Sequence, residues 1–157
     1  MTVPLLVIAP HPDDEILGAG GIMARHRAAG GSVAAIVATD GSRSDPSVGC
    51  TELALRRRHE SIAGLARLLG ENPPLLFLDQ QDGALEAAVV DIGPETALGR
   101  FMEDLRSCII LTTDPADAHG DHKAAFGLAT RLVSAGFGNA LQVVPISQRV
   151  DDIFDPN

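Results

Sequence analysis

The chain has 157 residues, of which 45% are hydrophobic and 21% are charged, a composition typical of one globular domain with its own core. Its formal net charge is −9 and only 3% of its residues are aromatic, with no Trp and no Tyr. These values exclude a nucleic-acid surface of the usual kind, because such a surface needs positive charge and stacking rings. Cys50 and Cys108 match no disulfide or metal-binding pattern, so we expect reduced thiols and a cytoplasmic location.

Hydrophobic patterning predicts strands that alternate with helices. The predicted elements are, in chain order, a strand at 3–9, a helix at 15–29, a strand at 32–38, a helix at 51–69, a strand at 75–78, a helix at 94–107, a strand at 108–112, a helix at 122–135 and a strand at 141–145. The first apolar run is too short to span a membrane, and no basic segment precedes it as in a signal peptide.

This alternation predicts the α/β class, with a single Rossmann-like three-layer αβα domain built on a mainly parallel sheet. We expect the domain to occupy residues 1–150 and an acidic tail to follow at 151–157. In such sheets, sites form in the loops that leave the carboxyl ends of the strands. The loops in question are those at 10–14, 39–49 and 113–121.

The first of these loops combines one histidine with two adjacent carboxylates, in the sequence Pro-His-Pro-Asp-Asp-Glu at 10–15. Neutral imidazole and carboxylate are good ligands for a divalent ion such as zinc. Asp13 and Asp14 point in different directions on a bent backbone, so one can bind a metal while the other faces a metal-bound water. The alternative is that one of them only caps the following helix, where acidic residues are favoured.

The third loop ends with two histidines, His119 and His122, on either side of Asp121. The spacing favours His122 as a third metal ligand beside His11 and Asp14. His119 is then expected to act as an acid outside the ligand set, with Asp121 close enough to orient its ring. Three protein ligands leave a fourth position open for water, as in catalytic zinc sites.

Several short motifs together resemble one enzyme family. They are Pro-His-Pro-Asp-Asp-Glu at 10–15, Thr39-Asp40-Gly41, Arg57-x-x-Glu60, Leu69-Gly70, Phe77-Leu78-Asp79, Asp82-Gly83 and His119-Gly120-Asp121-His122. Their types and order over roughly residues 3–135 are similar to those of the PIG-L/LmbE-like zinc de-N-acetylases, which deacetylate N-acetylglucosaminyl substrates. The resemblance implies an enzyme that uses zinc, or another divalent transition metal, to release acetate from a small-molecule amino-sugar conjugate.

The resemblance also implies residue roles. The zinc ligands are His11, Asp14 and His122, Asp13 is the general base, and His119 stabilises the tetrahedral intermediate, with Asp121 beside it. Arg57 and Asp82 are similar to residues that contact sugar hydroxyls. The sequence leaves the oligomeric state open, including a homo-oligomer.

The chain departs from the family pattern at Gly120, where proline is frequent, in having no Tyr near the reacting carbonyl, and in being short at its C-terminus. Alternatives therefore stay open: a non-catalytic zinc-binding relative that acts as a partner or subunit, or a hydrolase of another amide. A nucleotide-binding module is disfavoured, because Gly18-x-Gly20-Gly21 lacks the third glycine of the dinucleotide fingerprint at its expected offset.

Overall fold

The computed structural model describes residues 2–70 and 72–144 of the chain. Its strands are β1 (Leu5–Ala9), β2 (Val33–Thr39), β3 (Leu75–Gln80), β4 (Ile109–Thr113) and β5 (Ala140–Val144). They form one sheet in the order β3-β2-β1-β4-β5, and every neighbouring pair is parallel. All residues of β1 and β2 are buried, which explains their continuous apolar sequences. The predicted α/β class is confirmed.

Within the described residues, five α-helices and one short 3₁₀-helix connect the strands. They are α1 (Asp14–Leu17), α2 (Gly20–Ala28), α3 (Cys50–Leu69), the 3₁₀-helix (Leu85–Ala87), α4 (Ala97–Glu103) and α5 (Gly120–Ser134). The prediction of one continuous helix at 15–29 is wrong, because α1 ends before Gly18 and α2 begins at Gly20. Glycines at these positions lower helix stability, and Gly20 packs beside Leu68 of α3.

Successive residues of β1 face two different core layers. Leu5 lies in a buried cluster with Leu65 of α3, whereas Leu6 lies in a cluster with Met102 of α4 and Leu132 of α5. The sheet is therefore covered on one face by α1 to α3 and on the other by α4 and α5. This is the predicted three-layer arrangement, and it leaves the carboxyl ends of the strands open.

The predicted boundary at residue 150, the acidic tail and the last residue of the predicted fifth strand lie outside the described residues. Within 2–70 and 72–144, no helix combines the length and the apolar character needed to cross a membrane.

Candidate active site

The turn after β1 has an unusual backbone at Asp13, whose φ is 124°. Residues other than glycine rarely adopt such a positive φ, and this strain persists only where neighbouring groups hold it. Glu15 accepts the Asp13 N–H at 3.0 Å, and Ser61 of α3 donates its hydroxyl to Glu15. Glu15 and Ser61 are both buried, so the turn is anchored to the layer beneath it.

Arg57 of α3 holds the same turn from the other side. Its guanidinium donates to the Pro12 carbonyl and to the Asp13 carboxylate, both at 2.6 Å. Gly41 permits this approach, because it has a φ of 62° and a Cβ there would lie 2.9 Å from the Pro12 ring. Asp13 precedes α1 but makes no side-chain cap hydrogen bond. The capping alternative is therefore wrong for Asp13, whose side chain stays 51% exposed.

Asp14 points inward and meets two histidines. Its Oδ2 lies 3.0 Å from His11 Nδ1 and 3.4 Å from His122 Nε2, and one ligand atom from each of the three residues lies within 4.8 Å of the others. Ligands about 2.0–2.1 Å from a tetrahedral zinc ion are roughly 3.3 Å apart, so the two separations fit zinc. His122 Nε2 is buried and has no hydrogen-bond partner within the described part of the chain. Such an atom is costly to leave unpaired, and a bound cation would satisfy it.

Both histidines direct their other ring nitrogen to a carboxylate outside this group. His11 Nε2 lies 3.2 Å from Asp121 Oδ2 and 3.4 Å from Asp82 Oδ1. His122 Nδ1 lies 2.8 Å from Asp117 Oδ2. Outer carboxylates of this kind orient metal-binding histidines and fix their tautomers. The donor set and its surroundings therefore both fit a zinc ion.

The carboxylates change the proton affinity of the histidines. Burial lowers the pKa of His11 and of His122, but nearby carboxylates outweigh burial, namely Asp14 for both rings and Asp117 for His122, so both pKa values are raised. Burial acts to raise the pKa of Asp14, yet its close contacts with the two histidine rings hold that pKa well below its usual range. For Asp13, burial raises the pKa and Arg57 offsets this only in part. The site attracts positive charge, which a divalent cation can supply in place of protons.

His119 completes a group of three imidazole rings. Its ring centroid lies 4.8 Å from that of His11 and 5.1 Å from that of His122. Its Nδ1 accepts the Asp121 N–H at 3.2 Å, so His119 is the N-cap of α5. This contact uses the backbone of Asp121, whereas its carboxylate accepts from the backbone of Gly83 and Leu85.

A second group of ligand atoms, from His11, His119 and Asp121, also lies within 4.8 Å of one another. It is the weaker candidate for a metal, because the Asp121 carboxylate already accepts two backbone N–H groups and His119 Nδ1 accepts a third. In the first group, by contrast, His122 Nε2 has no such partner among the residues described.

The structure brings the predicted site residues together at the carboxyl edge of the sheet. They are His11, Asp13, Asp14, Arg57, Asp82, His119, Asp121 and His122. Asp82 is buried and accepts the Arg43 N–H at 2.9 Å, and the Arg57 side chain is only 13% exposed. Both residues already have protein partners in this arrangement.

Sequence reasoning missed Asp117 and Ser61. Asp117 contacts His122 five positions later, and Ser61 contacts Glu15 across 46 positions. Asp117 lies in the predicted third loop and could have been chosen as a carboxylate near two histidines. Nothing in the sequence indicates the contact of Ser61 with Glu15, because serine is common in helices and belongs to no motif here.

A cavity of about 440 Å³ opens on the β2–β3 side of the turn. Pro12, Asp40 and Ser42 line its edge toward the site, and Leu55 and Phe77 supply apolar surface. The His11, Asp14 and His122 side chains do not line it. The cavity therefore lies next to the candidate metal centre, because Pro12, which lines it, directly follows His11 in the chain.

A comparison with protein families matches residues 6–133 to PIG-L, described as GlcNAc-PI de-N-acetylase. A 1D-myo-inositol 2-acetamido-2-deoxy-alpha-D-glucopyranoside deacetylase from Nocardia farcinica (strain IFM 10152) is 30% identical over 154 residues. The match covers 83% of this chain and 52% of the relative. The chain thus spans about half the length of this curated relative.

Solved structures give similar matches. The N,N'-diacetylchitobiose deacetylase from Pyrococcus horikoshii has a TM-score of 0.67 and 29% identity, covering 83% of this chain and 49% of that one. The conserved protein TT1542 from Thermus thermophilus has a TM-score of 0.66 and 30% identity, covering 94% of this chain and 67% of that one. The comparison of sequences and the comparison of structures therefore both match this chain to deacetylases.

Proposed function

Because the chain belongs to the PIG-L family of de-N-acetylases, we propose that it is a zinc-dependent hydrolase of an N-acetyl amide on an N-acetylglucosamine-type substrate. The products are acetate and a free amine. The observation that carries the proposal is the group of His11, Asp14 and His122, in which a buried imidazole nitrogen without a hydrogen-bond partner faces a carboxylate in the described structure.

The residues that hold the ion in this proposal are His11 through Nδ1, Asp14 through Oδ2 and His122 through Nε2. Two nitrogens and one oxygen suit zinc, and other divalent transition metals such as Fe(II) or Co(II) also accept them. When bound, the ion lowers the pKa of a water molecule to about 7 and polarises a carbonyl. Three protein ligands would leave a fourth position open for water.

Asp13 is the proposed general base. Its carboxylate is next to Asp14 in the chain but is 51% exposed, where an attacking water and an acetamide can reach it. It accepts the proton of the water as the water oxygen attacks the acetamide carbon. Arg57 donates to this carboxylate, which favours its ionised form and fixes its direction.

His119 is the proposed donor to the oxyanion. Its Nδ1 accepts a backbone N–H, which leaves Nε2 as the nitrogen that carries a proton. A donor beside the metal ligands stabilises the negative charge that develops on the carbonyl oxygen. The leaving amine then takes a proton from Asp13 or His119.

Arg57 and Asp82 are the proposed contacts to sugar hydroxyls. A guanidinium has five N–H donors, and the Arg57 contacts to Pro12, Asp13 and Gly41 leave further donors available. Asp82 Oδ1 lies beside His11, 3.4 Å from Nε2. The substrate is a small-molecule amino-sugar conjugate, while the cytoplasmic location and the domain extent of 1–150 stay predictions from the sequence.

The test is a panel of N-acetylglucosamine conjugates that differ in the group attached to the sugar, with acetate and free amine measured. We expect release with zinc-loaded protein, loss after chelation, and recovery when zinc is added back. Zinc binding without any acetate release would favour a non-catalytic relative. Equal release from acetamides that lack a sugar would favour a hydrolase of another amide.

A further inference from the structure

We propose that Asp117 is a positioning residue that holds the His122 ring in the orientation and tautomer required for metal binding. The inference rests on the proposed zinc site, and it concerns a residue outside the ligand set. Asp117 lies on the loop between β4 and α5, and its side chain is 12% exposed.

The direction of the hydrogen bond fixes the tautomer. Asp117 Oδ2 lies 2.8 Å from His122 Nδ1. An ionised carboxylate has no proton to give, so Nδ1 must carry the hydrogen and donate it. The lone pair of a neutral His122 then lies on Nε2, the buried nitrogen 3.4 Å from Asp14 Oδ2. Two acceptors facing each other at this distance favour a cation between them.

The same carboxylate connects His122 with His119. The other oxygen, Asp117 Oδ1, accepts the His119 N–H at 2.8 Å. The Asp117 side chain thus contacts both the ring of His122, a proposed ligand, and the backbone of His119, the proposed oxyanion donor. Both Asp117 oxygens are engaged by these two donors, and Asp117 contacts Nδ1 of His122 rather than the nitrogen that faces Asp14, so Asp117 is placed to orient the ring rather than to bind the metal.

The contacts around Asp117 make it rigid. Its backbone N–H donates to the Asp114 carbonyl at 3.1 Å. On the other side, Thr113 donates its hydroxyl to the His122 carbonyl at 2.7 Å. A rigid partner is what an orienting contact requires, because a mobile carboxylate would not restrict the ring.

The experiment measures zinc affinity by competition with a chromogenic chelator. Asp117→Ala removes the contact, and Asp117→Asn keeps an acceptor oxygen without the charge. Asp114→Ala is the matched control, because it removes a carboxylate from the same loop, keeps the Asp114 carbonyl that accepts the Asp117 N–H, and leaves the contact between Asp117 and His122 in place. We expect Asp117→Ala to weaken zinc binding by about 10- to 100-fold, the usual effect of losing an outer hydrogen-bond partner. Asp117→Asn is expected to lie between it and wild type, and Asp114→Ala near wild type.

A spectroscopic measurement on the zinc-loaded wild type is independent of whether the variants fold. Correlated ¹H–¹⁵N spectra of the histidine rings should show His122 with its hydrogen on Nδ1, protected from exchange with water. A hydrogen on Nε2 would overturn the inference, as would equal zinc affinity in Asp117→Ala and wild type, or equal weakening in Asp117→Ala and Asp114→Ala. Wild-type protein that binds no zinc would instead contradict the proposed function itself.

Discussion

Asp13 and Asp14 are adjacent in sequence, but the Asp13 side chain is exposed and the Asp14 side chain is buried. The Asp14 side chain is 8% exposed and lies against two histidines, whereas the Asp13 side chain is 51% exposed and lies against Arg57. The positive φ of Asp13 turns the chain between them, so one carboxylate faces the protein and the other faces solvent. A strained residue at this point is consistent with a site whose geometry is held by its neighbours.

Separate substitutions of the two carboxylates should have different effects. Asp14→Asn replaces an anionic ligand by a neutral amide, so zinc content per chain and deacetylation rate are both expected to fall. Asp13→Asn keeps the three ligands but accepts no proton, so zinc is retained and turnover falls by about 10²–10⁴, the usual share of a general base.

Metal analysis and acetate release on both variants test these roles, with the melting temperature as a control for folding. Loss of zinc in Asp13→Asn with retention in Asp14→Asn would mean that the roles are reversed. Normal turnover and normal zinc in both would contradict the catalytic interpretation of the turn.

The two cysteines should differ in reactivity. Cys50 is exposed at the start of α3, whereas Cys108 is buried before β4, where burial raises the pKa of its thiol to about 11. The thiolate is the reactive form, so a disulfide reagent at pH 8 should label one thiol of the native chain rapidly and the second only after denaturation. Cys50→Ser should remove the rapid phase, and two rapid phases in the native wild type would disagree with this structure.

At the scale of the element, α3 links the site to the core. Arg57, Ser61, Leu65 and Leu69 are spaced four residues apart and therefore lie along one stripe of the helix. The first two hold the turn at 12–15 through their side-chain contacts, and the last two are buried in the core beneath β1 and β2. The packing of α3 in the core therefore fixes where Arg57 and Ser61 hold the strained turn.

Removal of the Ser61 hydroxyl should destabilise the protein. Ser61→Ala leaves one oxygen of the fully buried Glu15 without this donor, and an unsatisfied buried polar group costs about 1–3 kcal/mol. Urea denaturation should therefore show a lower midpoint for Ser61→Ala than for Glu60→Gln, a change on the exposed face of the same helix. Coincident midpoints for the two variants would mean that the contact with Glu15 adds nothing to stability.

The strands were predictable and the first helical region was not. β1 and β2 are buried throughout and have continuous apolar sequences, and all five strands lie within two residues of their predicted bounds. The segment at 15–29 has helix-forming residues on both sides of Gly18, and periodicity alone does not reveal the break at that position. Packing of Gly20 against α3 is a tertiary contact, which the local pattern does not contain.

At the scale of the whole molecule, the strand order of the sheet explains why the loops after β1 and β4 lie side by side. β1 and β4 are neighbours in parallel register, so the loops at their carboxyl ends bring His11 and His122 together although they are far apart in sequence. The rule for parallel sheets predicts this meeting. It does not predict which outer carboxylate each ring contacts, because the contact of Asp121 with His11 depends on the path of the chain through Gly83 and Leu85.

An ion that joins these two loops should stabilise the entire fold. A ligand that binds only the folded chain contributes about 2.7 kcal/mol when its concentration is 100 times its dissociation constant. For a domain of this size about 1 kcal/mol corresponds to roughly 2–4 °C, so zinc added to chelated protein should raise the melting temperature by about 5–10 °C. His11→Ala should lose this shift, because it removes a ligand, whereas His59→Ala, at an exposed position of α3, should keep it. If zinc leaves the melting temperature of the wild type unchanged, or raises that of His11→Ala equally, the ion does not bind between the two loops.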